Sequence, residues 1–199
     1  MRIDKNDLLL YAVTDRQWLG NASLAEQLEE AIQAGVTVVQ LREKELDFDA
    51  FVSLGKELQA VAKRHRIPFI INDAVDVALA LDADGVHVGQ SDMQAGDVRS
   101  RIGEEKILGV SAHSVEEALA AERNGADYLG VGAIYGTATK PDANTLSIET
   151  LQQICQAVSI PVVGIGGIAE GNILNLNGSG IDGVAAVSAI FAQPDITAA

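Results

Sequence analysis

The chain is poor in cysteine, in basic residues and in long apolar runs. Its one cysteine, Cys155, excludes an intrachain disulfide and fits a reducing cytoplasm. Lysine and arginine number 14 against 28 acidic residues, giving a net charge of −14 and a pI near 4.4. Nucleic acid and anionic membrane are therefore not expected as bulk partners. The apolar run at residues 8–13 is too short for a signal peptide's apolar region with its cleavage site, and no run approaches the roughly 20 residues of a membrane span. A cytoplasmic location, with no membrane partner, is expected. Hydrophobic residues are plentiful: 48% of 199, ample for the core of one compact domain spanning residues 1–199.

Those hydrophobic residues fall in a rhythm. Eight short apolar runs (LLLYAVTD, TVVQLREK, PFIIND, GVHVGQ, KILGVSAH, YLGVGAIYG, PVVGIGG and GVAAVSAI) are continuous rather than alternating, as parallel strands covered on both faces are. Helical patterns separate them. Ser23 and Glu26 predict a capping box opening a helix with Leu24, Leu28, Ala31 and Ile32 on one stripe and Gly35 as its stop. Ser114 and Glu117 predict a second box, on a helix ended by Gly125. Phe51, Leu54, Leu58 and Val61 space another helix. Eight strands with intervening helices in this length predict a single (β/α)8 TIM barrel. A doubly wound sheet is the rival, but the glycine fingerprint it carries after its first strand is absent from VTDRQWLGN.

In such a barrel function gathers at the carboxyl ends of the strands. VVQLREK shows why that matters here: an apolar strand runs within a few residues into Gln40, Arg42, Glu43 and Lys44. The pattern recurs around the ring, through Asn72 and Asp73, Gln90 and Asp92, Ser111 and His113, then Thr137, Thr139 and Lys140. Singly, each has a plainer reading. Arg42 and Glu43 suit a rim ion pair, a lone aspartate after a strand suits a helix cap, and His87 and Cys155 read as core. Their convergence favours a site. Asp73 and Asp92, on neighbouring strands, could share a hard cation, Mg²⁺ being the natural choice beside phosphate. Arg42, Lys44 and Lys140 imply an anionic ligand in an otherwise acidic protein. The loops after strands seven and eight, IGGI and VSAI, offer backbone N–H groups where barrels often hold a phosphate. A diphosphate and a monophosphate bound together are expected.

Taken together, QLREK, IND, GVHVGQSD, GVSAH, TATK, VGIGGI and VSAI resemble the thiamine-phosphate synthases in order and spacing, over about residues 8–190. The resemblance implies a transferase that joins hydroxymethylpyrimidine diphosphate to thiazole phosphate and releases diphosphate. It implies that Gln40, Leu41, Arg42, Glu43, Lys44 and Asn72 hold the pyrimidine diphosphate, with Asp73 and Asp92 on its Mg²⁺ and Ser111 facing the pyrimidine. Thr137, Ala138, Thr139, Gly167, Val187 and Ser188 would hold the thiazole phosphate, and Lys140 would reach the diphosphate. Arg42, Lys44 and Lys140 would be the catalytic cations of a dissociative reaction. The chain departs from the family pattern at Ala133 and Gly136, where prolines are common, at Ala74, where a second aspartate often follows IND, and at Ser147, where a glycine is common.

Two other readings compete. A related thiazole tautomerase would carry a histidine where Ala133 stands and would tend to lack Asn72, Asp73 and Asp92. A non-catalytic sensor of phosphorylated metabolites would have less need of both aspartates. Beyond Ile190 lie only nine residues, Pro194 among them, enough for about one or two helical turns. The final helix is therefore expected to be short or missing. An apolar strip over strand eight, including Phe191, is expected to be exposed, inviting a homodimer along that seam or leaving a less stable chain.

Overall fold

Each of the eight apolar runs forms a strand in the computed structural model, which describes residues 3–20, 22–136 and 145–199. In chain order the elements are β1 (Leu10–Val13), α1 (Leu24–Gln33), β2 (Val38–Leu41), α2 (Phe48–His65), β3 (Phe69–Asn72) and α3 (Val75–Leu81). There follow β4 (Gly85–Val88), α4 (Ala95–Ile102), β5 (Ile107–Ala112), α5 (Val115–Arg123), β6 (Tyr128–Val131) and α6 (Ile148–Ala157). The chain closes with β7 (Val162–Ile165), β8 (Gly183–Ala186) and the single-turn α7 (Ser188–Phe191). All neighbouring strands run parallel, and β8 pairs with β1 through Leu10↔Val184 and Tyr11↔Ala185. The sheet is a closed barrel in sequential order, not an open doubly wound sheet.

Strand alternation divides the core in two. Val39, Leu41, Phe69, Ile71, Val86 and Leu108 pack outward against the helices. Tyr11, Val38, Ile70, Ile107, Tyr128 and Val163 fill the barrel interior. The α1 stripe of Leu24, Leu28, Ala31 and Ile32 is buried, and Ser23 and Glu26 form the reciprocal capping box. The Ser114 cap is only half a box: its hydroxyl accepts from the Glu117 N–H, but the Glu117 carboxylate turns to the His113 N–H at 2.7 Å. The helix after β7 is reduced to a 3-10 turn at Ile173–Leu176, which leaves Leu174 77% exposed. No helix among the described residues is long and apolar enough to cross a membrane.

The expected apolar strip over β8 is not there. Phe191 is 1% exposed and Ile196 6%, and both belong to the cluster that covers Val184 and Ala186. One turn of α7 and the tail behind it fold back over the outer face of β8, replacing a full helix. A homodimer argued from that strip loses its ground.

Candidate active site

Inward-facing residues at the carboxyl ends of the strands line an open cleft of about 180 Å³. Alternation puts Gln40 and Arg42 on the same side as Val38, so both line it. Leu41 does not. It is fully buried in the outer layer beneath the helices, so its side chain cannot touch a ligand in the mouth. Arg42 is anchored by its own N–H, which donates to the buried Thr14 hydroxyl at 3.1 Å. Among the described residues no carboxylate pairs with its guanidinium. Glu43, expected to face Arg42 or the ligand, instead forms a close ion pair with Arg16, from the turn after β1, without the alignment of a hydrogen bond. Burial pushes the Glu43 carboxyl up, but Arg16 and the N–H groups of Lys44 and Glu45 hold it below its ordinary value.

Asp73 and Asp92 do come together. Asp73 follows β3 with φ +60°, a left-handed conformation that aspartate tolerates better than bulkier residues. Its N–H donates to the His87 carbonyl at 2.8 Å, which swings the residue over β4. The Asp73 carboxylate accepts from the Lys44 ammonium at 2.7 Å and the Asn72 amide at 2.6 Å. Asp92 lies back against the loop after β4, its Oδ2 accepting from the Gly89 N–H at 2.8 Å. A Cβ at Gly89 would stand 2.8 Å from that oxygen, so a larger residue there would push the carboxylate aside. Burial raises the Asp92 carboxyl above its ordinary value, the adjoining Asp73 carboxyl raises it further, and the Gly89 N–H and Lys44 pull the other way. No cluster of three or more His, Cys, Asp or Glu side chains forms among the described residues. Two adjoining carboxylates nevertheless suit Mg²⁺, which keeps waters and takes its remaining oxygens from a phosphorylated ligand.

The other side of the mouth is built of backbone. Gly166 (φ +100°) and Gly167 (φ +62°) close β7 in conformations open to glycine, and a Cβ on Gly167 would stand 2.5 Å from the Gly136 carbonyl. The Asn172 side chain accepts from the Ala169 N–H at 2.9 Å and donates to the Gly167 carbonyl at 2.8 Å, shaping this loop. Gly167, Val187 and Ser188 all line the cleft. Thr137, Ala138, Thr139 and Lys140 lie outside the described residues.

The floor of the cleft links Gln40, His87 and Ser111 through Tyr11 and Tyr128, which local sequence patterns did not single out. The Gln40 amide donates to Tyr11 at 2.9 Å, the Tyr11 and Tyr128 hydroxyls are 2.7 Å apart, Tyr128 meets His87 Nδ1 at 2.9 Å, and His87 Nε2 meets Ser111 Oγ at 3.0 Å. His87 is satisfied, as a core histidine should be, but it is satisfied within the site. The available signal was phase: Tyr11 lies two residues before Val13, as Gln40 lies two after Val38.

A closed parallel barrel that sets a carboxylate pair beside Arg42, whose guanidinium no carboxylate pairs with among the described residues, and faces them with bare backbone has the mouth expected of a barrel for phosphorylated small molecules. The family profile described as thiamine monophosphate synthase matches residues 10–190. The thiamine-phosphate synthase of Clostridium tetani is 52% identical over 190 residues, 96% of this chain and 91% of that protein. That of Methanobrevibacter smithii is 50% identical over 93% of this chain and 88% of that protein. The solved thiamine phosphate pyrophosphorylase of Pyrococcus furiosus superposes with a TM-score of 0.90 at 39% identity, covering 98% and 93% of the two chains. The chain belongs to the thiamine-phosphate synthase family.

Proposed function

We propose that this chain, a thiamine-phosphate synthase by family, joins hydroxymethylpyrimidine diphosphate to thiazole phosphate in the cleft, with Mg²⁺ on Asp73 and Asp92. The observation that carries the reading is the meeting of those two carboxylates beside Lys44, with the Arg42 guanidinium aimed into the same mouth. The bond from the pyrimidine methylene to the diphosphate oxygen breaks, and the thiazole nitrogen supplies the electron pair for the new C–N bond. No nucleophile or general base is needed, so the protein's work is to orient the two substrates and receive charge on the leaving group. Arg42 and Lys44 do so directly, and Lys140 joins them by the resemblance that placed it. Mg²⁺, when bound, would neutralise part of the diphosphate charge. Asn72 holds Asp73 in place, while backbone around Gly167, Val187 and Ser188 takes the thiazole phosphate.

Cys155 is half-buried, and burial pushes its thiol up to about 11, so it stays protonated and unreactive. A cytoplasmic location is part of the same proposal. The test is turnover by the purified chain with both substrates, in Mg²⁺ and in chelator. Thiamine phosphate and diphosphate formed in equal amounts, only with the metal, are expected. Isomerisation of thiazole phosphate alone would make it a tautomerase, and binding without turnover would make it a sensor.

A further inference from the structure

The chain of side chains across the cleft floor links five strands, and its hydrogens can be counted. Gln40 (β2) donates to Tyr11 (β1), which meets Tyr128 (β6), then His87 (β4), then Ser111 (β5). The two phenols are fully buried, and burial drives both well above their ordinary values, so each keeps its proton. A buried hydroxyl must place its hydrogen on an acceptor. Tyr11 already receives the hydrogen of Gln40, so its own goes to Tyr128, and that of Tyr128 goes to His87 Nδ1. The imidazole then carries its hydrogen on Nε2 and gives it to Ser111 Oγ.

We infer that Tyr11, Tyr128 and His87 are positioning residues that polarise the pocket in one direction, so that Gln40 presents an acceptor and Ser111 a donor to the bound ring. Tyr11 takes one hydrogen of the Gln40 amide, so among the described residues Gln40 keeps its carbonyl oxygen and a second N–H for a ligand; with Oγ accepting from His87, Ser111 has its hydroxyl hydrogen left. An aminopyrimidine offers the complement, an exocyclic N–H donor and a ring-nitrogen acceptor. This rests on reading the cleft as the pyrimidine pocket. The backbone is cut to fit the relay. His87, Gly109 and Tyr128 stand in register on three adjacent strands. A Cβ on Gly109 would lie 2.3 Å from the Tyr128 hydroxyl and 2.4 Å from His87 Nδ1, and one on Gly130 would lie 2.9 Å from His87 Cε1. Any residue larger than glycine at 109 would occupy the space of the Tyr128–His87 bond.

The test is the ¹⁵N spectrum of the full chain labelled at histidine, with His87→Asn used to assign the resonance. The neutral Nε2–H tautomer is expected, and any other pattern overturns the inference, since the Nδ1–H form would reverse the polarity. Tyr128→Phe removes the donor to Nδ1. It should disturb the His87 resonances and raise KM for the pyrimidine diphosphate roughly three- to tenfold, leaving KM for thiazole phosphate unchanged. A purely structural tyrosine would lower stability without that split, and equal effects on both substrates would overturn the assignment. If Tyr128→Phe does not fold, the tautomer of the unsubstituted chain still decides. If that chain shows no turnover, the proposed function fails, and the tautomer judges the relay alone.

Discussion

The two sides of the cleft mouth are built by different means. From β2 to β4 the rim is side chains: Arg42, Lys44, Asn72, Asp73 and Asp92, the last four tied together by hydrogen bonds and charge. From β7 to β8 it is mainly backbone, with Gly166 and Gly167 held where a Cβ would strike the neighbouring loop. A leaving group that gains charge needs mobile and adjustable charge around it. A phosphate that only has to be held can be met by fixed N–H dipoles. The first side should therefore fail in catalysis when altered, and the second in binding and shape.

The largest break in that comparison is expected from Asp92→Asn. An amide is a poor ligand for Mg²⁺, and metal charge stabilisation is worth several kcal/mol, so kcat should fall by about 100-fold or more. Unchanged turnover with unchanged Mg²⁺ dependence would remove Asp92 from the metal site. Arg42→Ala and Lys44→Ala come next. Each removes charged hydrogen bonds worth about 1.5–3 kcal/mol, a loss of roughly 10- to 100-fold confined to the pyrimidine substrate. Arg42 should show the larger effect of the two, because Lys44 is partly committed to Asp73. Steady-state kinetics with each substrate varied in turn would expose a general collapse, which weakens both.

Gly167→Ala tests the other side. Its methyl would meet the Gly136 carbonyl at 2.5 Å on a backbone with φ +62°, so the loop must shift. Such strain costs on the order of 1–2 kcal/mol. KM for thiazole phosphate should rise up to about tenfold while the pyrimidine substrate is spared. Calorimetry of thiazole phosphate binding would check it. Normal affinity in a normally stable variant would mean that Gly167 does not shape that subsite.

How much of this was legible in the sequence follows the range of the interactions. Strands, helix stripes and the Ser23 cap depend on neighbours within a few residues, and they appear where the patterns put them. The polar strand ends were legible because a closed barrel brings all its carboxyl ends to one mouth, whatever the details. Pairings across the barrel were not. Glu43 with Arg16, and Tyr11 with Tyr128, depend on register between strands far apart in sequence. The contiguous motif QLREK hides the alternation that sends the Gln40 and Arg42 side chains inward and that of Leu41 out. The tail was misjudged for a similar reason: a count of residues after Ile190 measures helix length but not where Phe191 and Ile196 fold.

The smallest effect expected is on stability, and it runs opposite to the first prediction. Asp92 has a raised pKa in the folded chain, from burial first and from Asp73 next. Its favourable contribution is thus fully present below the ordinary carboxylate value and is lost as pH rises through the raised one. At neutral pH in chelator the ionised Asp92 carboxylate therefore costs stability. Asp92→Asn cannot ionise, and its amide oxygen can still accept from the Gly89 N–H. In chelator the variant should unfold at a slightly higher Tm than the parent at neutral pH, and the gap should close on acidification toward the ordinary carboxylate range. Mg²⁺ should raise the Tm of the parent and leave the variant unmoved. A variant less stable than the parent at neutral pH, by a margin that acid does not change, would mean that Asp92 serves the fold through contacts other than its charge. The contrast between a rim tuned for catalysis and a rim tuned for shape would then have to be redrawn around Asp73.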